Sequence, residues 1–296
     1  MIEVYREERE RFQKVKRFLS NGKVLFGGVV LLLLIFTAIT APYIAPHDPN
    51  EQDITATKTP PFWMEGGDTN HVLGTDSLGR DVFSRILYGS RVAMFVAVVG
   101  TFFAGLIGVI LALLAGYYRG AVDNIISRFV DIWISFPPIL LSIVLMAVLG
   151  TGLTNVALAI ILVDWTRFCR VIRGEVFNIR ERDFILAAKA EALGNFRIIV
   201  KEVFPNIIPL LLVLVTLEMG IAIIVEAILS FVGLSVEASI PAWGQMIALG
   251  RLYIHQAWWI MVFPMMCIIM SVLGLNLLGD GLREVLDPRL KVMGMK

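Results

Sequence analysis

RDFILAAKAEALGNFRIIVKEVFPN, residues 182–206, is charged and alanine-rich, yet it lies between two long apolar runs. Arg182, Asp183, Lys189, Glu191, Arg197, Lys201 and Glu202 would each be costly in hydrocarbon, so the segment must project into water. Its order of residues predicts a helix, a turn and a second helix. Asp183 is placed to cap the first helix, and Ala187, Ala188, Ala190 and Ala192 favour it. Gly194 suits a left-handed stop, and Asn195 can cap the second helix from Phe196. Pro205 and Pro209 then mark entry into the next apolar run. A first helix of about ten residues is ~15 Å long. Its small alanines, with Phe184 and Leu186 as anchors, suit it to a partner's groove.

Outward from this segment the chain reads as membrane-embedded. Of its 296 residues 57% are hydrophobic and 17% charged, and the mean hydropathy is +0.77. Uncharged runs cover Val24–Ala45, Val92–Tyr118, Ile132–Val163 and Trp258–Leu278. A fifth, Ile207–Val232, is interrupted only by Glu218 and Glu226. Ile132–Val163 is too long for one span and breaks at Gly150-Thr151-Gly152. The fold expected is an all-α integral membrane protein with six transmembrane helices, each near the ~20 residues that hydrocarbon requires. Val24–Ala45 reads as a retained first helix rather than a signal peptide. Its apolar run is too long, and Pro42 occupies the cleavage point.

Charge sets the orientation. Of 26 Lys and Arg, only Lys58, Arg80, Arg85, Arg91 and Arg251 fall on the side opposite residues 182–206. The positive-inside bias therefore puts both termini and that segment in the cytoplasm. The division expected is a cytoplasmic segment 1–23, a first span 24–45, an external segment 46–91, a five-helix core 92–281 containing the loop 174–204, and a cytoplasmic tail 282–296. Within 1–23, Glu7/Arg11 and Glu10/Lys14 have helical spacing, and Phe12, Val15 and Leu19 form a thin apolar stripe.

Several residues inside this frame invite a chemical reading. Pro137-Pro138 should kink the third span. Asp164 lies three residues from Arg167, which predicts a local ion pair. Glu218 and Glu226 are intramembrane carboxylates, each facing either a water-filled path or a neighbouring helix. In the external segment Gly74 and Gly79 mark turns. Asp81 can cap a helix whose apolar face is Val82, Phe83, Ile86 and Leu87, predicting an interfacial helix before the second span. Asp76, Arg80 and Asp81 read as scaffold, with a ligand role as the alternative. His47, His71 and His255 lack metal-ligand spacing, so no metal site is expected. Cys169 and Cys267 fall at or in spans and predict no disulfide framework. Net charge is +1, which gives no reason to expect nucleic acid.

Three stretches carry a family resemblance: LGTDSLGRDVFSRILYGSR (73–91), LSFVGLSVEASIPAWG (229–244) and NLLGDGLREVLDPRL (276–290). They are similar to dipeptide/oligopeptide permease C-type subunits of binding-protein-dependent ABC importers, and the similarity runs over nearly the whole chain. Residues 182–206 resemble the EAA loop of such permeases, whose short coupling helix docks on an ATPase. In that family Glu-Ala-Ala is followed three residues later by Gly, and then by Pro thirteen residues on. Counting back from Pro205 puts Ala192 in the Gly position and Leu186-Ala187-Ala188 in the Glu-Ala-Ala position, with Gly194 two residues late. A helix half a turn longer is expected.

The resemblance implies a type I importer permease fold that carries peptides, with a homologous B-type permease, two cytoplasmic ABC ATPases, an external solute-binding protein and the lipid bilayer as partners. The ATPase-coupling residues it implies are Asp183, Phe184, Leu186, Ala187, Ala188, Ala190, Glu191, Ala192, Gly194 and Pro205. Glu218 and Glu226 are the translocation-path candidates, and Gly281 to Arg289 would lie near the ATPases. No G-x-x-x-x-G-K-[ST] loop occurs, so ATP and Mg are expected on the partner chains, with no cofactor and no catalytic residue here. Related systems carry oligosaccharides or nickel instead. An ion-coupled secondary transporter could use Glu218 and Asp164 but would have no use for a docking helix, and a channel would need a selectivity element.

Overall fold

Asn21 starts the first membrane helix. Its Oδ1 accepts from the backbone N–H of Lys23 (2.9 Å) and Val24 (3.3 Å), two of the donors that a helix start leaves unpaired. From there α1 runs Gly22–Ile44. The computed structural model describes residues 20–286; the expected surface helix of the first residues and the end of the 276–290 motif lie outside them. An irregular stretch with one 3-10 turn, Ile54–Ala56, leads to α2, Val82–Tyr118. Then follow α3 (Gly120–Ile134), α4 (Pro138–Leu149), α5 (Leu153–Arg180) and α6 (Asp183–Ala190). The last three are α7 (Asn195–Phe231), α8 (Trp243–Arg251) and α9 (Trp259–Leu286).

Two breaks fall where the residues demand them. Gly150 and Gly152, at φ +79° and +147°, stop α4 and release α5, in backbone regions that L side chains rarely enter. At Pro137-Pro138 the missing N–H groups end the α3 ladder, and α4 leaves at 85° to α3. The external segment departs from expectation in one respect. Asp81 does cap, with its Oδ2 accepting from Ser84 N at 2.7 Å, but the helix it starts is not a separate interfacial piece. No proline interrupts residues 82–118, and a π turn at Val96–Gly100 carries the helix straight on into the second span.

Among the described residues four helices, α1, α2, α7 and α9, are long and apolar enough to cross a membrane, or five spans if the bent pair α3–α4 counts as one. The remaining long helix, α5, has 28 residues but holds Asp164, Arg167 and Arg170 in its first half and shortly beyond. Where helices touch, small residues allow it. A Cβ on Gly27 of α1 would strike the Gly274 carbonyl and Leu278 of α9. On Gly108 of α2 it would lie 2.5 Å from the Trp165 carbonyl of α5. Between lipid-embedded helices close van der Waals fit replaces the hydrophobic drive, which is why these glycines matter. Leu32, Leu33, Phe36 and Ile39 of α1 stay exposed, as a lipid-facing surface requires.

The two ends of the bundle differ in character. On one face, Lys23 at the start of α1 pairs with Glu284 near the end of α9, and Asn21 Nδ2 donates to the same carboxylate at 3.0 Å. That face also carries a cavity of about 420 Å³ lined by Glu175, Arg182, Asn206 and Arg283. The opposite face holds the segment between α1 and α2, pinned by indole donors: Trp259 Nε1 to the Thr75 carbonyl and Trp243 Nε1 to the Ile86 carbonyl, both 3.0 Å. Arg80 Nε donates to Asp76 Oδ2 at 2.7 Å, and Arg85 Nη1 to the Pro49 carbonyl at 2.8 Å, so these buried cations hold the loop together.

Candidate functional site

Residues 182–206 form a short helix fastened along one side and bare along the other. On α6 the fastened side is Ile185 and Ala188, three residues apart and both buried, in a core shared with Tyr117, Ile179 and Ile198. The bare side carries Phe184 (38% exposed), Leu186 (50% exposed), Ala187, Ala190 and Glu191. Phe196, at the start of α7, is 78% exposed. Tyr117, at the end of α2, braces the loop: its hydroxyl donates to Asn195 Oδ1 at 3.0 Å, and Lys189 Nζ lies 5.6 Å from its ring centre.

Several sequence expectations for this loop change. Arg182, not Asp183, takes the cap position, and Asp183 begins the helix without a side-chain cap bond. Its carboxylate still lies in the first turn, where the helix dipole favours it. Ala188 is turned into the protein's own core, so it is not available for outward contact as the resemblance implies. The helix has 8 residues and is not extended by half a turn. It closes on a Schellman turn: Leu193 N donates to the Ala188 carbonyl (3.2 Å) and Ala192 N to the Lys189 carbonyl (3.0 Å). The left-handed residue in that turn is Ala192, at φ +57°. Gly194 is instead extended, at φ −63° and ψ 142°, and stands in the cap position before Asn195. The family spacing thus points to the residue whose backbone needs a glycine, even though the residue there is alanine. Pro205 follows a π turn, Ile199–Val203, which absorbs the ring's lost N–H, and it lines the 420 Å³ cavity.

A second cavity, of about 280 Å³, opens where the α3–α4 bend faces α5 and α7, and Trp133, Phe136, Arg167, Arg170 and Glu218 line it. Here Arg167 Nη1 lies 3.3 Å from Glu218 Oε2. The local Asp164–Arg167 pair expected from sequence is therefore replaced by a pair between helices, because Arg167 extends toward α7 and Asp164 is buried at 3% exposure. Two further pairs continue down α5: Arg170 Nη2 to Asp131 Oδ1 at 2.9 Å, and Arg173 Nη2 to Asp123 Oδ2 at 2.8 Å. The three arginines recur every three residues, the helical spacing that could have signalled one charged face, but their partners are distant in sequence. Glu226 lies elsewhere. At 2% exposure it accepts from Ser230 Oγ (2.6 Å) and Ser235 Oγ (3.0 Å), where it holds the turn after α7.

The histidines are also rearranged. His47 and His71, with no ligand spacing in sequence, stack at 4.7 Å between ring centres beside Asp81, so a group suited to a metal ion forms where none was expected.

Comparison with known proteins places this arrangement. The family model described as "Binding-protein-dependent transport system inner membrane component" matches residues 108–292. That described as "N-terminal TM domain of oligopeptide transport permease C" matches residues 11–61. The di/tripeptide transport system permease protein DppC of Pseudomonas aeruginosa is 39% identical over 93% of this chain and 90% of its own length. The dipeptide transport system permease protein DppC of Haemophilus influenzae is 38% identical over 93% of each. The glutathione transport system permease protein GsiD of Pectobacterium atrosepticum is 37% identical over 93% of this chain and 90% of that one. Among solved structures, an inward-facing MetNI methionine ABC transporter superposes with a TM-score of 0.57 over 69% of this chain and 98% of that one, at 19% identity, a likeness of fold. The chain belongs to the family of inner membrane components of binding-protein-dependent transport systems, in its oligopeptide transport permease C branch.

Proposed function

We propose that this chain is one of two permease subunits of a peptide importer, a type I ABC system whose ATPases dock on α6. The observation that carries the reading is α6 itself: a helix anchored by Ile185 and Ala188 that leaves Phe184, Leu186 and Ala190 uncovered at one end of a membrane bundle. The names of the relatives favour di- and oligopeptides over oligosaccharides or nickel. The chain catalyses no reaction itself. Two ATPases supply ATP and Mg, a B-type permease completes the path, and an external solute-binding protein delivers the peptide.

In this reading six spans cross a bacterial inner membrane: α1, α2, the bent pair α3–α4, α5, α7 and α9. Both ends and α6 lie in the cytoplasm. The positive-inside bias and the contact of Lys23 with Glu284 support that placement. ATP-driven closure of the ATPases moves α6, and the loop passes the motion on. It is continuous with α5 through Arg180–Asp183 and with α7 through Asn195, and it is tied to α2 by Tyr117. The spans then shift as bodies, because packed helices have discrete arrangements rather than a continuum. Arg167 and Glu218 face the path, where a zwitterionic peptide can exchange with each of them as a counter-charge.

Reconstitution with the ATPases and binding protein tests the assignment. Peptides should stimulate ATP hydrolysis and accumulate inside proteoliposomes. Stimulation by sugars or nickel and not by peptides would transfer the system to another substrate. Failure of any ATPase to associate would remove the importer reading itself.

A further inference from the structure

We propose that His47, His71 and Asp81 form a binding site for a divalent transition ion of the zinc class, which staples the external segment to the start of α2. The three residues come from separate stretches: the exit of α1, the irregular loop and the cap of α2. Each offers one ligand atom, and these atoms all lie within 4.8 Å of one another. His71 Nδ1 is 3.2 Å from Asp81 Oδ1, and His47 Nδ1 is 3.9 Å from Asp81 Oδ2. Ligands at zinc's usual bond lengths of 2.0–2.2 Å stand about 3.3 Å apart in a tetrahedron. Small movements of His47 would therefore complete the site.

The local chemistry favours an ion over a set of hydrogen bonds. His47 Nδ1 is buried and has no hydrogen-bond partner. That nitrogen is held in place from two sides: the backbone N–H of His47 donates to Ser84 Oγ at 3.2 Å, and its ring stacks on His71. The Asp81 carboxylate is fully buried, and Ser84 N–H donates to its Oδ2 at 2.7 Å, which fixes the carboxylate's orientation as an outer partner does. The guanidinium groups of Arg80 and Arg85 are engaged elsewhere: Arg80 donates to Asp76 and Arg85 to the Pro49 carbonyl. Two imidazoles with one carboxylate suit zinc-class ions rather than calcium or magnesium, which take oxygen ligands. Three protein ligands leave a fourth position for water, and His47 is the member that reaches solvent. The inference does not depend on which solute is transported.

The test uses the full-length chain in nanodiscs, purified without a histidine tag, stripped with chelator and titrated with Zn2+ against a chromophoric competitor. Binding of one equivalent per chain, with a rise in Tm, is expected. His47→Phe keeps the ring and its stacking and removes no existing side-chain hydrogen bond; His71→Asn keeps a donor toward Asp81. Each should weaken Zn2+ binding by more than the roughly 10–100-fold that loss of an outer partner costs, and abolish the Tm rise. His255→Ala should leave both unchanged. Absence of stoichiometric binding, or binding that survives His47→Phe with its Tm rise, would overturn the proposal.

Discussion

Arg167 on α5 and Glu218 on α7 meet at 3.3 Å on the wall of a 280 Å³ cavity, 51 residues apart in the chain. The Glu218 side chain is 5% exposed and that of Arg167 35% exposed, so one partner is nearly dehydrated while the other faces the open side. Removing one charge from such a pair leaves the other unbalanced, whereas removing both is tolerated better. Glu218→Gln should lower peptide uptake roughly ten-fold, equivalent to about 1.4 kcal/mol, without blocking membrane insertion. The double variant Arg167→Met, Glu218→Leu should regain thermal stability but not uptake. Full uptake by Glu218→Gln in a proteoliposome assay would take the pair out of the path.

The two alanines of α6 separate docking from folding. Ala190 is exposed and Ala188 is buried against Ile185 and its neighbours. Ala190→Trp should uncouple ATP hydrolysis from uptake and leave Tm unchanged. Ala188→Trp should overpack the core and destabilise by about 1–3 kcal/mol. Measuring ATP turnover, uptake and Tm on both variants gives the comparison, and normal coupling in Ala190→Trp would count against docking at that face.

Ala192 holds a left-handed backbone at φ +57° in the turn that ends α6. That conformation costs an L side chain roughly 1–2 kcal/mol, and the greater freedom of an unfolded glycine returns part of it. Ala192→Gly is therefore expected to raise Tm, with a gain of about 0.5–1 kcal/mol. Gly194, which is extended, should tolerate alanine by comparison. Thermal unfolding of the two single variants side by side decides it.

Tyr117 links the end of α2 to the loop through one hydroxyl. Tyr117→Phe removes the bond to Asn195, worth about 0.5–1.5 kcal/mol, while keeping the ring beside Lys189. Faster hydrogen exchange over residues 183–198 and fewer peptides imported per ATP are the expected results. Unchanged exchange would mean that packing alone holds the loop.

Much of the architecture could be read from residue types. Hydrocarbon penalises charge whatever the tertiary fold, so long uncharged runs mark membrane helices and residues 182–206 must leave the bilayer. Gly150, Gly152 and Pro137-Pro138 act on their own backbone, and the breaks fall at them. The family spacing points to position 192, whereas the residue types favour Gly194 for the left-handed turn; the backbone gives that turn to Ala192. Local rules misled where several neighbouring residues could serve: Asp183 was the better cap former, yet Arg182 stands in the cap position.

What remained hidden depends on the azimuth of one helix against another. Whether Ala188 faces inward, or whether Arg167 turns to Asp164 or to Glu218, follows from how α2, α5 and α7 pack. A rotation of one residue, about 100° on a helix, changes every such answer without altering the hydropathy pattern. The meeting of His47, His71 and Asp81 is of the same kind. Charge and hydropathy along the chain mark which helices are long and apolar enough to cross a membrane. Side-chain partners far apart in sequence are settled by close packing, in which small residues such as Gly27 and Gly108 set how near and at what angle the helices lie.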